Sequence, residues 1–142
     1  MVINLIQKCF RLKTTDPRLK KRLKLRDHKK LRAFELADEL ILLIYKVTKK
    51  FPRVEQFGLT AQLRRAAVSI ATNIVEGCAR NSESDYLRFL DIAYGSAQEV
   101  EYQVSLSYRL GYLTESDFNS LKAKCLETTK VLNGLICSLR RK

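Results

Sequence analysis

The chain is poor in the residues that punctuate sheets: five glycines, two prolines and no tryptophan occur in 142 residues. Sheet proteins of this size need turn residues roughly every 8–12 positions, so the scarcity excludes an all-β chain and predicts long helices joined by few loops. Metal-binding residues are sparse as well. There is one histidine, His28, and the four cysteines, Cys9, Cys78, Cys125 and Cys137, show no C-x-x-C spacing, which leaves no grouped ligands for a tetrahedral zinc site. Cys78, Cys125 and Cys137 sit among apolar helical residues, where a cysteine behaves as a small hydrophobe, and reduced thiols point to a cytoplasmic chain.

Long apolar runs are also missing. No stretch approaches the roughly 18–20 residues that a bilayer crossing needs, and Asn4, Gln7 and Lys8 break the opening segment before a signal-peptide core can form. No membrane partner is expected. Between Arg18 and Arg32 lysine outnumbers arginine, which argues against an organelle transit peptide. Catalytic signatures are absent too: there is no glycine-rich phosphate loop, H-E-x-x-H or G-x-S-x-G. Glu99 and Glu101 lie two apart on a helix and point in different directions, and His28, inside a basic run, reads as a solvated residue instead of a general base. These absences predict no enzyme, no cofactor and no metal.

What is present is one domain's worth of core and an uneven charge. The length and the 46% hydrophobic content suit a single domain. Residues 1–32 hold 12 of the 27 Lys and Arg but only Asp16 and Asp27 as acids, so nearly all of the +12 excess lies at the N-terminus. Such a charge is the footprint of a polyanion partner. A basic arm over 1–26, partly disordered or a short helix, is therefore expected to precede a bundle over 27–142.

Four segments repeat at helical spacing. Leu31, Phe34, Ala37, Leu40, Ile41, Ile44 and Val47 predict a helix over about 27–50, stopped by Phe51-Pro52. Leu59, Leu63, Ala66, Ala67, Ile70 and Ile74 predict a second over 59–77, with Gly77 as the residue just past its end. Ser82 followed by Glu83 and Asp85 caps a third over 83–110, ahead of Gly111, and Thr114 with Glu115 and Asp117 caps a fourth over 115–140. In the fourth, Phe118, Leu121, Cys125, Thr128, Leu132, Leu135 and Leu139 alternate strictly between three and four apart, a seam that lays it lengthwise on its neighbours. Short connections then give an all-α, up-down-up-down antiparallel four-helix bundle.

The third helix carries more apolar surface than one stripe uses. Phe89, Ile92, Ala93, Ala97, Val100 and Val104 form one face, and Leu87, Leu90, Tyr94 and Tyr108 extend round it. That surplus fits either self-association or the most enclosed position in the bundle. Gly95-Ser96-Ala97 in its middle reads as a tight helix crossing, since glycine costs a helix about 1 kcal/mol relative to alanine. On the second helix, Arg65, Ser69, Asn73, Glu76 and Arg80 form one continuous polar strip, beside Arg64. It is either a solvated outer face or a row of buried hydrogen bonds to a neighbour.

The run from Leu59 to Val104, with QLRRAAVSI, NIVEG and FLDIAYGS, and LGYL after it, resembles the bacterial four-helix-bundle family encoded within intervening sequences of large-subunit ribosomal RNA genes. The resemblance spans Leu31 to Leu139 and implies a doughnut-like homopentamer. The accessory variability proteins of diversity-generating retroelements are similar in fold, and imply nucleic acid and a reverse transcriptase as partners. Family positions carried over are Arg64, Arg65, Ser69, Asn73, Glu76, Gly77, Arg80, Ser82, Gly95, Ser96, Gly111 and Tyr112, none of them catalytic. The chain departs from the pattern at Phe34, often tryptophan, at Ala71, often proline, and in its longer basic N-terminus.

The expected function is therefore a non-enzymatic homo-oligomer, pentameric by resemblance, that binds nucleic acid, RNA above all, through phosphate contacts. Lys20, Lys21, Arg22, Lys24, Arg26, Lys29, Lys30 and Arg32 supply these from the arm, and Arg64, Arg65 and Arg80 from the bundle. Ser69, Asn73, Glu76, Gly77, Ser82, Gly95, Ser96, Gly111 and Tyr112 are assigned to structure or assembly. The alternative is an accessory protein that binds a reverse transcriptase and its RNA or DNA template in a retroelement.

Overall fold

The computed structural model describes residues 26–141, and Lys20, Lys21, Arg22 and Lys24 lie outside them. Within them are helices α1 (Arg32–Thr48), α2 (Leu59–Cys78), α3 (Glu83–Arg109) and α4 (Glu115–Arg140), with 3₁₀ turns at His28–Lys30 and Arg53–Glu55. Each helix packs on the next in sequence and α1 closes on α4, with no diagonal contact among the described residues. The connections are short, so the order is up-down-up-down and the four apolar stripes share one core.

Local chemistry sets the helix ends. Ser82 Oγ accepts the Asp85 amide at 3.0 Å and Thr114 Oγ1 accepts that of Asp117 at 3.1 Å, satisfying donors that a helix start leaves open. At the end of α3, Gly111 takes a φ of 78°, and the Gly111 and Tyr112 amides, each at 2.9 Å, donate to the carbonyls of Tyr108 and Ser107. This double closure needs a left-handed residue, which glycine alone adopts without strain. No side chain of Gly58 exists to cap α2; instead the Glu55 carboxylate accepts the Leu59 amide at 2.9 Å and the Tyr112 hydroxyl at 3.0 Å, tying two loops together.

The first helix begins later than its periodicity predicts. Asp27 spends its carboxylate on the Lys29 amide, at 3.1 Å, capping a 3₁₀ turn, and Leu31 is extended, so the α-helix starts at Arg32. His28 is half-buried there, edge-on to Phe34 with ring centroids 4.8 Å apart, and is not the solvated residue expected.

The core runs the length of the bundle through Leu40, Ile44, Leu63, Ile70, Leu90 and Leu132, all fully enclosed. The α4 seam lies as predicted, with Leu121, Cys125, Thr128 and Leu132 buried and Phe118, Leu135 and Leu139 packed at its margins. On α3 the buried stripe is rotated from the expected one: Tyr86 and Leu90 join Ala93, Ala97, Val100 and Val104 inside, while Ile92 faces solvent. Helix α3 packs on both α2 and α4, and the residues enclosed between them are Ala93, Ala97 and Val100, which leaves position 92 outside.

Two glycines differ from the roles the sequence suggested. Gly95 is exposed, and a Cβ there would meet no atom within 4 Å, so it makes no crossing inside the bundle. Gly77 is not past a helix end but buried inside α2, where a Cβ would lie 3.0 Å from Phe89 Cβ and 3.1 Å from the Tyr86 ring. The close α2–α3 approach is therefore at Gly77. Periodicity gives no contact for either glycine, because what a Cβ would meet depends on the neighbouring helix.

Candidate nucleic-acid interface

The polar strip of α2 resolves into two parts. Ser69 and Ser96 share a hydrogen bond of 2.9 Å between α2 and α3, and Asn73 Nδ2 donates to the Ser69 carbonyl at 2.8 Å and to its hydroxyl at 3.0 Å. Those three residues are half-buried or buried and link the helices, whereas Arg65, Glu76 and Arg80 are exposed. Small hydroxyls were needed because α2 and α3 approach closely here, and a long side chain would hold them apart.

The candidate cations also separate. Arg64 Nε donates to Thr48 Oγ1 at 2.8 Å and its guanidinium lies 4.7 Å from the Tyr45 ring centre, so it fastens α2 to α1. Arg32 is committed to Glu35 and Glu127, at 2.7 and 3.0 Å, and these bonds raise its already high pKa. Lys124 pairs with Glu39, Lys50 with Asp117 and Arg140 with Asp91. Charge neutralised in this way is a poor phosphate ligand.

A different group gathers at the end of the bundle where the basic N-terminal segment joins. Arg26 lies over the Tyr86 ring at 4.2 Å and its Nη1 donates to the Arg80 carbonyl at 3.2 Å. Arg80 lies over Phe89 at 4.5 Å, and Arg88 approaches the same ring at 5.7 Å. None of the three guanidiniums has a carboxylate within ion-pair distance among the described residues. A ring engages the flat face of a guanidinium and not the N–H edge that matches a phosphate, and at Arg26 one N–H of that edge is given to Arg80. Lys29 and Lys30 are exposed on the adjoining 3₁₀ turn.

Arg88 and Tyr86 were not singled out from sequence, and Phe89 was read only as part of the apolar face of the third helix. The signal was the spacing: aromatics three apart at 86 and 89 share a face, which the small residue Gly77 lets sit against α2. Among the described residues no group of three or more His, Cys, Asp or Glu side chains could hold a metal ion. No helix among them is long and apolar enough to cross a membrane.

Together these features define the class: an all-α, up-down-up-down four-helix bundle with arginines stacked on aromatic rings at one end. The chain belongs to the 23S rRNA-intervening sequence protein family, whose model matches residues 29–134. It is also similar to a crystal structure from Bacteroides thetaiotaomicron, a protein with unknown function from the S23 ribosomal protein family, at 26% identity and a TM-score of 0.67, over 73% of this chain and 94% of that one. No curated protein matches the chain.

Proposed function

We propose that the chain is a non-enzymatic, homo-oligomeric nucleic-acid-binding protein that grips RNA through its phosphates, assembled as the pentamer its resemblance implies. The observation that carries this reading is the trio Arg26, Arg80 and Arg88, placed over Tyr86 and Phe89 and without a carboxylate at ion-pair distance among the described residues. Lys20, Lys21, Arg22 and Lys24 precede Arg26 in the sequence and add charge to this reading, and Lys29 and Lys30 are exposed on the turn beside the trio. Arg65, exposed on α2, is not among the arginines placed over Tyr86 and Phe89, and Arg32 and Arg64 serve stability in this reading. Binding of this kind is electrostatic and weak in sequence preference, since no groove-reading helix is involved.

Salt titration tests it. Each phosphate contact contributes roughly 0.7–0.9 to the slope of log affinity against log salt, so replacing Arg26, Arg80 and Arg88 with alanine should lower the slope by about 2 to 3. Helical content and oligomer mass should persist, because the three side chains cap the surface of the rings without entering the core. An unchanged slope in a folded variant would remove the trio from the interface.

A further inference from the structure

Two apolar surfaces of the bundle are left without a partner, one along α1 and α2 and the other on the outer line of α3. The first is a groove of about 500 Å³ along α1, the following loop and α2, lined by Tyr45, Phe57, Ala61, Arg64, Arg65 and Val68. Leu42 on the same side of α1, Val54 and Phe57 are 67%, 87% and 90% exposed, an extent of open apolar surface that a solitary bundle rarely carries. The second is the outer line of α3 through Ile92, Gly95, Glu99 and Tyr102, spaced three, four and three apart, with Tyr102 61% exposed. Gly95, open to solvent in the single chain, is costly to a helix unless another backbone comes close to it.

The charges around the two surfaces are opposite. From Tyr45 to Arg65 there are six Lys or Arg and one acid, Glu55, which is engaged with Leu59 and Tyr112. From Phe89 to Tyr108 there are three acids and no Lys or Arg; Asp91 is paired with Arg140 of α4, which leaves Glu99 and Glu101 without an ion pair among the described residues. A nucleic acid would suit the first surface and be repelled by the second, so the pair is matched to each other, not to a common polyanion.

We infer that the α1–α2 groove of one copy receives the outer line of α3 of a second copy, with the backbone at Gly95 seated against the groove and Arg65 facing the acids of α3. This rests on the self-association proposed above and assigns its surfaces. Because α1 and α3 stand diagonally across the bundle and share no contact, each copy can donate one surface and receive the other at once. Such a head-to-tail contact propagates from copy to copy, and it closes into a ring where the rotation it imposes divides a full turn.

Full-length Gly95→Arg and Phe57→Asp proteins test the assignment, each altering one surface at a residue that nothing inside the bundle depends on. Each substitution should weaken association by about 100-fold or more, leaving a species near 16.4 kDa in sedimentation equilibrium with unchanged helical content. Mixed in equal amounts, the two variants retain one intact groove and one intact α3 line between them. They should form a one-to-one heterodimer of twice the 16.4 kDa chain mass and grow no further.

A mixture that stays monomeric at rising concentration would overturn the head-to-tail assignment, since a self-complementary contact cannot be rescued this way. Variants that both keep the wild-type mass would place the contact elsewhere while self-association stands. If Phe57→Asp keeps its mass and instead loses RNA binding, the groove belongs to the nucleic acid and the inference fails. A wild-type chain that is itself monomeric removes self-association, and this inference with it, without touching the salt-slope test of the arginine trio.

Discussion

Replacing Gly77 and Gly134 with alanine should change stability in opposite directions. Both lie within helices, α2 and α4, so each substitution gains about 0.5–1 kcal/mol of helix propensity. At Gly134 a Cβ would meet nothing within 4 Å, and that gain is realised in full. At Gly77 the new methyl would stand 3.0 Å from Phe89 Cβ, 3.1 Å from Tyr86 Cδ2 and 3.4 Å from the Tyr86 carbonyl oxygen. Neither Phe89 Cβ nor the carbonyl can turn aside, and the Tyr86 ring is only 2% exposed, so the α2–α3 pair must separate along its length. Overpacking of that kind costs about 1–3 kcal/mol, which exceeds the propensity gain and leaves Gly77→Ala destabilised by up to about 2 kcal/mol. Urea unfolding followed by helical circular dichroism, at one low protein concentration for both variants, measures the difference. A Gly77→Ala protein as stable as Gly134→Ala would mean the helices approach elsewhere, and the account of the α2–α3 contact would be wrong.

Burial pushes the Tyr86 hydroxyl from 10.0 up to about 12 and the Cys125 thiol from 9.0 up to about 12. The unfolded chain gives up these protons first, so their contribution is complete below pH 9 and is lost as pH rises through that window to about 12. Stability should fall from about pH 9 upward, Cys125→Val should delay the onset, and a flat profile to pH 12 would contradict both placements. Ser69→Ala should cost about 1–3 kcal/mol by leaving the buried Ser96 hydroxyl without its partner, and the double Ser69→Ala, Ser96→Ala protein should cost no more than the single. A strictly additive double-mutant cycle would separate the two hydroxyls. Arg64→Ala should lower stability by about 1 kcal/mol while leaving the salt slope of RNA binding unchanged, because its guanidinium holds Thr48 and Tyr45. A reduced slope with unchanged stability would return Arg64 to the interface.

Much of the fold was legible from local signals. Ser82, Thr114 and Gly111 act within a turn of where they stand, through bonds to amides and carbonyls three to five residues away, so their roles can be read without knowing the neighbours. The α4 seam and the helix order follow from apolar spacing and short connections, which depend on helix geometry alone. Asp27 shows the limit of the same logic: its capping bond exists, but it closes a 3₁₀ turn ahead of the helix.

The tertiary structure decided everything that depends on which helix stands opposite. Gly95 reads as a crossing and Gly77 as a helix end in sequence, and only open solvent against the first and the ring of Tyr86 against the second reverse that reading. The arginines were legible as charge, but not as ligands: Arg32 is paired and Arg64 is pinned, whereas Arg26, Arg80 and Arg88, scattered along 62 residues, meet over two rings. Charge is a property of the residue, but whether it is spent inside the molecule or offered to a partner is set by the distance to the nearest carboxylate or ring, and those distances are made only when the helices pack.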